Sequence, residues 1–352
     1  MKKALGIFRG FPGLGRVVAG VALLEILREE YNFFVEAVSY LQGAKYLNLH
    51  GFNNFPEAIE KDYSSIGLIP TYKIGAYIHK RINDFRPDII VIDGEPLIVQ
   101  SIKISHPEIP VVVLLNPSDV DNPYNDSEAM EYFNALYSLA DLAIIHGLRR
   151  ISHNPNKYKK IISIDTILRK EILEITNTES ENIYCLLGGG TVNTDCHFEE
   201  STIKIGMFCL EFAKQQPSKK IHIMCSSTNI FNTIKKYPTY SNVFVYKDLI
   251  SPLKFLPDAG LIVTRSGRNM LSEILYLGIP AITFITGDFY RQTEQMQNID
   301  KLCVENVRVA SIQMETQEFC DLCKEMIGKK AKVKNRKCGN EIAINSILEL
   351  AT

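Results

Sequence analysis

The chain has 352 residues, of which 46% are hydrophobic and 22% charged, and its formal net charge is −1 at pH 7. The length suits two domains, and the composition is ordinary for a globular protein. The near-zero charge gives no electrostatic basis for binding nucleic acid, and no apolar run has the length that spans a bilayer. Two lysines precede apolar residues at the start, but the run breaks at Arg9, so a first strand is expected there and not a signal peptide.

The first half of the chain alternates short apolar segments with helical patterns. Strands are predicted at Ala4–Arg9, Phe33–Ser39, Ile89–Asp93, Val111–Leu115 and Leu142–Ile145, and helices at Val17–Glu29, Tyr72–Phe85 and Ser127–Leu139. Such alternation predicts a parallel sheet with both faces covered by helices.

The second half repeats the pattern. Strands are predicted at Ile183–Leu187, Ile221–Cys225, Val243–Tyr246, Leu261–Thr264 and Ala281–Phe284, and helices at Phe198–Lys214 and Asn269–Leu277. A polar run without periodicity lies within Leu168–Asn182 and marks the expected boundary. We therefore predict an N-terminal domain over residues 1–170, a second domain over 183–334, and a final helix within 335–352.

A glycine-rich loop, Gly10-Phe-Pro-Gly13-Leu-Gly15-Arg16, separates the first strand from the first helix. A dinucleotide-binding loop needs a third glycine or an alanine where Val18 stands, so NAD or FAD binding is not expected. No other cofactor is expected, and no metal ion is required, because no Asp-x-Asp pair or His/Cys cluster appears near the polar motifs of residues 258–298.

Carboxylates follow two of the predicted strands in the first half. Asp93 and Glu95 lie at the end of Ile89–Asp93, and Asp119 follows the next strand. Partial burial raises the pKa of a carboxyl group toward the range of a general base, so Asp93 and Glu95 are the first candidates and Asp119 the third. The alternative is a plain strand-end turn followed by a helix start. His146 and His153 lie in loops of the same half with no partner that the sequence identifies.

Three glycines and a threonine come directly after the strand Ile183–Leu187. They are Gly188, Gly189, Gly190 and Thr191. Glycines let a backbone approach a ligand and turn its N–H groups inward, which favours a phosphate loop over a plain turn.

Residues 258–298 carry the densest set of polar motifs. An apolar strand leads into Arg265-Ser266-Gly267, and Glu273 follows in the first two turns of the next helix. A helix N-terminus offers N–H groups to a diphosphate, and a carboxylate can accept both hydroxyl groups of a ribose. After the next strand come three amide side chains, Gln292, Gln295 and Asn298, which suit sugar hydroxyls. The pattern indicates a nucleotide-sugar site; a buried βαβ unit with incidental polar residues is the alternative.

These elements, in this order, resemble the donor-site signature of glycosyltransferase family 28. The matching elements are Arg265-Ser266-Gly267, Glu273, Gly278-Ile279-Pro280, and Gln292, Gln295 and Asn298. The resemblance extends from about residue 183 to 300, and over 1–170 it covers architecture and scattered motifs. It implies the α/β fold called GT-B, in which two Rossmann-like parallel-sheet domains face each other across a cleft. It also implies an inverting, metal-independent sugar transfer, with the donor held by the C-terminal domain.

The resemblance further implies roles for residues outside that region. Gly188–Thr191 would lie against the donor diphosphate, Leu249 would lie in the edge that binds the base, and Gly15 would belong to the N-terminal glycine loop. Arg169 matches only the arginine of the family's Gly-Asn-Pro-Val-Arg segment. In this family the last helix packs back on the N-terminal domain.

The family has histidine, its usual general base, where this chain has Arg16. A guanidinium stays protonated and cannot act as a base, although it can hold a phosphate. We therefore expect a transferase that uses UDP-sugar more readily than dTDP-sugar, with an unidentified small-molecule, glycan or lipid-linked acceptor. A nucleotide-sugar hydrolase or epimerase, and a non-catalytic partner that binds nucleotide sugar for another enzyme, are the alternatives.

The eight cysteines all lie in the C-terminal half. Cys320 and Cys323 have CxxC spacing without a second ligand pair, so they are predicted to be core residues, and nothing requires disulfides. A cytoplasmic location is expected. The basic run Gly328–Lys337 is interpreted as a solvated loop, or as a peripheral contact with an anionic membrane surface or an acidic acceptor.

Overall fold

The computed structural model describes most of the chain. The described residues are 1–10, 14–52, 72–121, 127–151, 158–176, 178–188, 196–225, 227–238, 240–247, 251–286, 306–329 and 337–351. They form two compact units: unit 1 contains the described residues of 1–170 together with 338–351, and unit 2 contains those from Glu171 to Lys337.

Unit 1 is built on a sheet of six parallel strands. The strands are β1 (Lys3–Phe8), β2 (Phe34–Val38), β3 (Ile89–Asp93), β4 (Val111–Leu115), β5 (Leu142–His146) and β6 (Ile161–Ile164). Their order in the sheet is β2-β1-β3-β4-β5-β6. β3 and β4 are buried throughout, as expected for central strands that are covered on both faces.

The strand order places a topological switch point between β1 and β3. From β1 the chain moves to β2 on one side, and from β2 it crosses to β3 on the other side. In open α/β sheets, ligands bind at the carboxyl ends of the strands that flank such a point.

Helices cover both faces of this sheet. They are α1 (Gly15–Glu30), α2 (Gln42–Leu49), α3 (Tyr72–Phe85), α4 (Pro96–Ser105), α5 (Pro117–Val120) and α6 (Ser127–Tyr137). The short helix α7 (Lys170–Glu174) begins at the last residue of unit 1, and its other residues belong to unit 2. The C-terminal helix, Asn340–Leu350, also belongs to unit 1, and its Ala343, Ile344 and Ile347 are part of the same apolar core as α1. α1 approaches β1 closely at Gly20, where a Cβ atom would lie 2.2 Å from the Phe8 ring.

Unit 2 has a second sheet of six parallel strands. The strands are β7 (Asn182–Leu187), β8 (Ile221–Cys225), β9 (Val243–Tyr246), β10 (Ala259–Arg265), β11 (Ala281–Phe284) and β12 (Val307–Ala310). The order β12-β11-β10-β7-β8-β9 is that of a dinucleotide-binding Rossmann sheet, and its switch point lies between β7 and β10.

The described helices of unit 2 complete the layers. They are α8 (Cys196–Gln215), α9 (Thr228–Ile234), α10 (Arg268–Leu277) and α11 (Thr316–Met326), and Asn340–Leu350 is α12 of the whole chain. Two short 3-10 turns, Pro252–Lys254 and Leu256–Asp258, precede β10. Cys320 and Cys323 are buried in the core that α11 shares with α8, where the sequence places them.

The prediction of two Rossmann-like parallel sheets is confirmed. Two strands that the sequence analysis did not predict, β6 and β12, have only four residues each and lie at sheet edges. Ser163 interrupts β6 and Arg308 interrupts β12, so neither has the continuous apolar run that identifies most of the predicted strands, which include the four-residue edge strand β9.

Candidate functional site

Two groups of polar residues lie at the switch points, one in each unit. The unit 1 cluster consists of Arg9, Arg16, Tyr40, Asp93, Glu95 and Asp119. The unit 2 turn pair consists of Gly188, which follows β7, and the segment Arg265-Ser266-Gly267 at the end of β10.

The turn after β3 brings two carboxylates of the unit 1 cluster together. Gly94 separates Asp93 from Glu95 and has a φ of +88°, a conformation that favours glycine. A Cβ atom on Gly94 would lie 2.6 Å from Cδ of Arg16 and 2.7 Å from Cβ of Arg9. The turn therefore requires glycine for two reasons, its backbone conformation and its close packing against both arginines.

Arg16 bridges two carboxylates. Its Nη1 donates to Asp93 Oδ1 and its Nη2 donates to Asp119 Oδ1, each at 2.9 Å. Burial lowers the pKa of Arg16, but the charges of Asp119 and Asp93 raise it more, so the pKa lies well above its ordinary value. Arg16 is therefore a permanent cation that fixes the orientation of two acids, and both of these guanidinium nitrogens are engaged with the protein.

Asp119 is held from a second direction. Its Oδ2 accepts a hydrogen bond from the backbone N–H of Asn116 at 2.8 Å, as part of a capping box on α5. Asn134 supports the same turn by donating to the carbonyl oxygen of Asp119, and Tyr158 donates to Asn134 at 2.6 Å. These bonds fix Asp119, the third base candidate, in place after the end of β4.

Glu95 differs from the two aspartates. It is the N-cap residue of α4, yet its carboxylate makes no capping bond. Instead, Oε1 accepts a hydrogen bond from the Tyr40 hydroxyl at 2.5 Å and lies 3.9 Å from Nε of Arg9, with 3% of the residue exposed. Burial is the largest influence on its pKa and raises it to about 7, against the opposing effects of Arg9 and Tyr40. A carboxyl group that titrates near neutral pH is suited to take up and release a proton.

Arg9 and Tyr40 are cluster members that the sequence analysis did not single out. Arg9 directly follows β1, and Tyr40 lies two residues after β2. The signal was present, because Arg9 is the last residue of the predicted strand Ala4–Arg9 and Tyr40 directly follows the predicted strand Phe33–Ser39. Using it required knowing that β1 lies between β2 and β3, which the sequence does not show.

The other unit 1 candidates occupy different positions. His146 ends β5, is fully buried, and its Nδ1 accepts the backbone N–H of Ile167 at 3.3 Å, a structural contact. Gly15 is the first residue of α1, and Arg169 directly precedes α7. Gly13 and His153 lie outside the described residues.

In the unit 2 turn pair, Arg265 connects the ends of three strands. Its Nη1 donates to the carbonyl oxygen of Gly188 at 3.3 Å, across the switch point, and its Nε donates to Thr286 Oγ1 at 2.6 Å, beyond β11. The arginine of the predicted Arg-Ser-Gly motif therefore places a positive charge at the switch point and holds the two turns together.

Ser266 is directed into the sheet. It is fully buried, its hydroxyl donates to the carbonyl oxygen of Phe284 at 3.0 Å, and Oγ lies 2.9 Å from Oγ1 of Thr283. The Ser266 hydroxyl is thus used to fix the turn. The backbone N–H groups of Ser266 and Gly267 also donate within the protein, to the carbonyl oxygens of Phe284 at 3.0 Å and Arg265 at 2.7 Å, so an anion at this turn would meet the first turn of the following helix.

Gly267 caps α10 without a side-chain capping bond. Within the described part of the chain, a Cβ atom on Gly267 would find its nearest neighbour 4.0 Å away, and one on Gly188 would find none within 4 Å. No described residue fills the space beside either glycine, at the point where the N-terminus of a ten-residue helix begins. Such a helix start is favourable for an anion.

Glu273 lies in the second turn of α10 and is 1% exposed. α10 ends at Leu277 and is capped by Gly278, which adopts the left-handed conformation with a φ of 69°. Pro280 follows two residues later. The remaining predicted donor residues, Gly189, Gly190, Thr191, Leu249, Gln292, Gln295 and Asn298, lie outside the described residues.

Two features are absent from the part of the chain that the structure describes. There, no three side chains of His, Cys, Asp or Glu are grouped so that they could hold a metal ion. No helix among those residues has the length and apolar character needed to cross a membrane.

No family model matches the sequence, and no curated protein matches it. Solved structures do match. MurG of Acinetobacter baumannii has a TM-score of 0.60 at 12% identity, over 99% of this chain and 100% of that chain. UDP-GlcNAc 2-epimerase from Neisseria meningitidis, solved bound to UDP-GlcNAc, has a TM-score of 0.64 at 15% identity, over 99% and 100%. UGT89C1 of Arabidopsis thaliana, solved with UDP-L-rhamnose, has a TM-score of 0.65 at 11% identity, over 99% of each chain.

At these identities the likeness establishes the fold. The resemblance to glycosyltransferases that the sequence motifs indicated is confirmed at that level, because the two Rossmann-like parallel sheets are those of the GT-B fold.

Proposed function

We propose that this protein is an inverting, metal-independent glycosyltransferase that moves a sugar from a nucleotide diphosphate sugar to an acceptor hydroxyl. The observation that carries the proposal is Glu95, a buried carboxylate at the switch point of unit 1 with a pKa of about 7. It supplies the general base that the sequence lacks at Arg16. Solved structures with the same fold contain UDP-GlcNAc, UDP-L-rhamnose and dTDP, which supports a uridine or thymidine diphosphate sugar as the donor. Of the two, we propose the UDP-sugar.

In this mechanism Glu95 accepts the proton of the acceptor hydroxyl. The oxygen then uses its electron pair to form a bond to the anomeric carbon, and the nucleoside diphosphate leaves with the electrons of the broken C–O bond. Direct displacement inverts the anomeric centre. Asp93 and Asp119 remain the weaker base candidates, because Arg16 already occupies one oxygen of each.

The leaving diphosphate needs compensation for its developing charge. We assign this to the open N-terminus of α10 at Gly267, the glycine loop that begins at Gly188, and the positive charge of Arg265. Each pre-aimed donor of this kind typically contributes on the order of 3 kcal/mol to stabilising a transition state. Glu273 would bind the ribose hydroxyls, and Gln292, Gln295 and Asn298 would contact the donor sugar.

The test is a transfer assay with UDP-glucose, UDP-GlcNAc and dTDP-glucose against a panel of hydroxyl acceptors, with the product anomer assigned by NMR. Glu95→Gln should abolish transfer but leave nucleotide affinity unchanged. The matched control, Glu318→Gln, alters an exposed glutamate in the first turn of α11 and should leave both unchanged.

A second candidate function follows from the solved epimerase with the same fold. Interconversion of UDP-GlcNAc and its C2 epimer without any acceptor would favour epimerisation. Release of UDP at a rate that acceptors do not change would favour hydrolysis. Nucleotide binding with no turnover in either assay would favour a non-catalytic partner.

A further inference from the structure

Among the described residues, the Tyr40 side chain contacts the proposed general base more directly than any charged group does. Its hydroxyl donates to Glu95 Oε1 at 2.5 Å, whereas Nε of Arg9 lies 3.9 Å from the same oxygen. Tyr40 is 5% exposed and Glu95 3%, so water has little access to the bond. A short hydrogen bond to a carboxylate in such surroundings is stronger than one between neutral groups.

The backbone of Tyr40 is fixed against the end of β1. The preceding residue, Ser39, donates from its hydroxyl to the carbonyl oxygen of Phe8 at 2.8 Å. A Cβ atom on Gly10 would lie 1.7 Å from the carbonyl oxygen of Tyr40, and one on Gly43 would lie 2.0 Å from Oγ of Ser39. Two glycines therefore allow the turn after β2 to contact the chain after β1, with Tyr40 beside the end of β3.

The residue after Tyr40 is strained. Leu41 has a φ of +51° and a ψ of −123°, a conformation that a residue with a side chain rarely adopts. Such strain persists only where the surrounding structure imposes it, and it is concentrated at functional sites. Here it lies at the start of α2, next to the tyrosine that contacts Glu95.

We propose that Tyr40 is a positioning residue, which keeps the Glu95 carboxylate ionised and correctly oriented to receive a proton. This proposal rests on the proposed function, because the proton transfer to Glu95 belongs to that mechanism. The coupling of Tyr40 to Glu95 can nevertheless be measured in the absence of any sugar transfer. The groups that influence Glu95 are Arg9 after β1, Arg16 on α1, Tyr40 before α2, and Asp93 at the end of β3.

The direction of the effect follows from the hydrogen bond. The Tyr40 hydroxyl stabilises the ionised form of Glu95 and so lowers its pKa against the larger effect of burial. Tyr40→Phe keeps the ring and removes only the donor, so the pKa of Glu95 should rise above its value of about 7. A hydrogen bond to a charged group corresponds to a shift of about one pH unit.

The first measurement is independent of activity. Unfolding free energies are measured from pH 4 to 9 for two pairs of proteins: wild type with Glu95→Gln, and Tyr40→Phe with Tyr40→Phe/Glu95→Gln. The difference within each pair isolates the titration of Glu95 in the folded state, whose midpoint is the pH at which the difference stops falling. Its midpoint should lie about one pH unit higher in the Tyr40→Phe pair. Tyr132→Phe, at an exposed tyrosine on α6, is the matched control and should leave the midpoint unchanged.

The second measurement is the pH profile of kcat/KM for sugar transfer. The acid limb should move upward by the same amount in Tyr40→Phe, which reduces the rate at pH 7 by up to about tenfold. An unchanged midpoint in the unfolding experiment would overturn the proposal, whether or not sugar is transferred. A shifted midpoint without any turnover of nucleotide sugar would support the coupling and reject the proposed function.

Discussion

The guanidinium of Arg16 donates to the carboxylate of Asp93 at 2.9 Å, and this bond separates the roles of the acids at the end of β3. Asp93 is held by a permanent cation, whereas Glu95, two residues later, is bound by a neutral hydroxyl and has a pKa near neutral pH. The arginine at the position where histidine is expected therefore orders the site, and in the proposed mechanism Glu95 accepts the proton.

Removing the cation should destabilise unit 1. In Arg16→Met, Asp93 and Asp119 remain beside each other without compensation, and the side chain of Asp93 is only 2% exposed. A buried charge that loses its partner typically costs about 3 kcal/mol. Urea denaturation measures the loss.

The control is Arg150→Met, which breaks an ion pair to Asp165 whose arginine side chain is 54% exposed. Exposed pairs contribute about 1 kcal/mol or less. Equal losses in the two variants would show that Arg16 does not compensate the two acids.

Glu95 should make the stability of the protein depend on pH in a specific direction. Its folded pKa of about 7 is above the ordinary value of 4.5 for a glutamate, so between these values the folded state binds more protons than the unfolded state. Its contribution to stability is therefore greatest below pH 4.5 and falls as the pH rises toward 7, by on the order of 3 kcal/mol in total.

Glu95→Gln should remove this fall. The unfolding free energies of wild type and variant at pH 4 and pH 8 test this expectation. The variant should be more stable relative to wild type at pH 8 than it is at pH 4. A wild-type minus variant difference that is the same at both pH values would show that Glu95 has no raised pKa.

Gly94→Ala should be more damaging than the same change at another glycine with positive φ. Gly94 and Gly51 have φ values of +88° and +73°, so alanine is strained at both, by about 1–2 kcal/mol. Only at Gly94 would the methyl group also collide with Arg9 and Arg16; a Cβ atom on Gly51 has no described neighbour within 4 Å. The two variants compared by thermal unfolding should differ by at least about 1 kcal/mol. Equal losses would contradict the close packing of the turn.

Substitutions of Ser266 and Gly267, two adjacent residues of the unit 2 turn pair, should have opposite effects on stability and on nucleotide affinity. Ser266→Ala removes the hydrogen bond to Phe284, so it should cost about 1 kcal/mol of stability and leave nucleotide affinity unchanged. Gly267→Val places a side chain in the open space before α10, at a φ of −79° that any residue adopts. It should fold normally and weaken diphosphate binding at least tenfold.

Calorimetric titration with UDP, combined with thermal unfolding, measures both properties. Reduced UDP affinity in Ser266→Ala with normal affinity in Gly267→Val would place the diphosphate elsewhere.

The sequence predicted most of the sheet cores, because central parallel strands are continuous apolar runs such as Ile89–Asp93 and Val111–Leu115, and both appear as predicted. It missed β6 and β12, where four-residue edge strands carry a weaker pattern. In the site it identified Asp93, Glu95 and the Arg265–Gly267 turn, which adjoin strand ends in the chain itself.

What the sequence could not supply is spatial. Tyr40 reaches Glu95 only because β1 lies between β2 and β3, and strand order is a tertiary property. The direction of the Ser266 hydroxyl likewise depends on the neighbouring strand β11, which offers the carbonyl oxygen of Phe284. Neither the strand order nor the direction of the Ser266 hydroxyl can be inferred from residue type and spacing.

The most direct test of the account is the binding of UDP, dTDP, ADP and GDP to wild-type protein and Gly267→Val, measured by titration calorimetry and thermal unfolding. The account predicts that UDP binds most tightly, with dTDP next. At a concentration about a hundred times its dissociation constant, UDP should add about 2.7 kcal/mol to the stability of wild type and much less to that of Gly267→Val. No binding of any nucleoside diphosphate, or equal binding to both proteins, would contradict a nucleotide-sugar site at the N-terminus of α10.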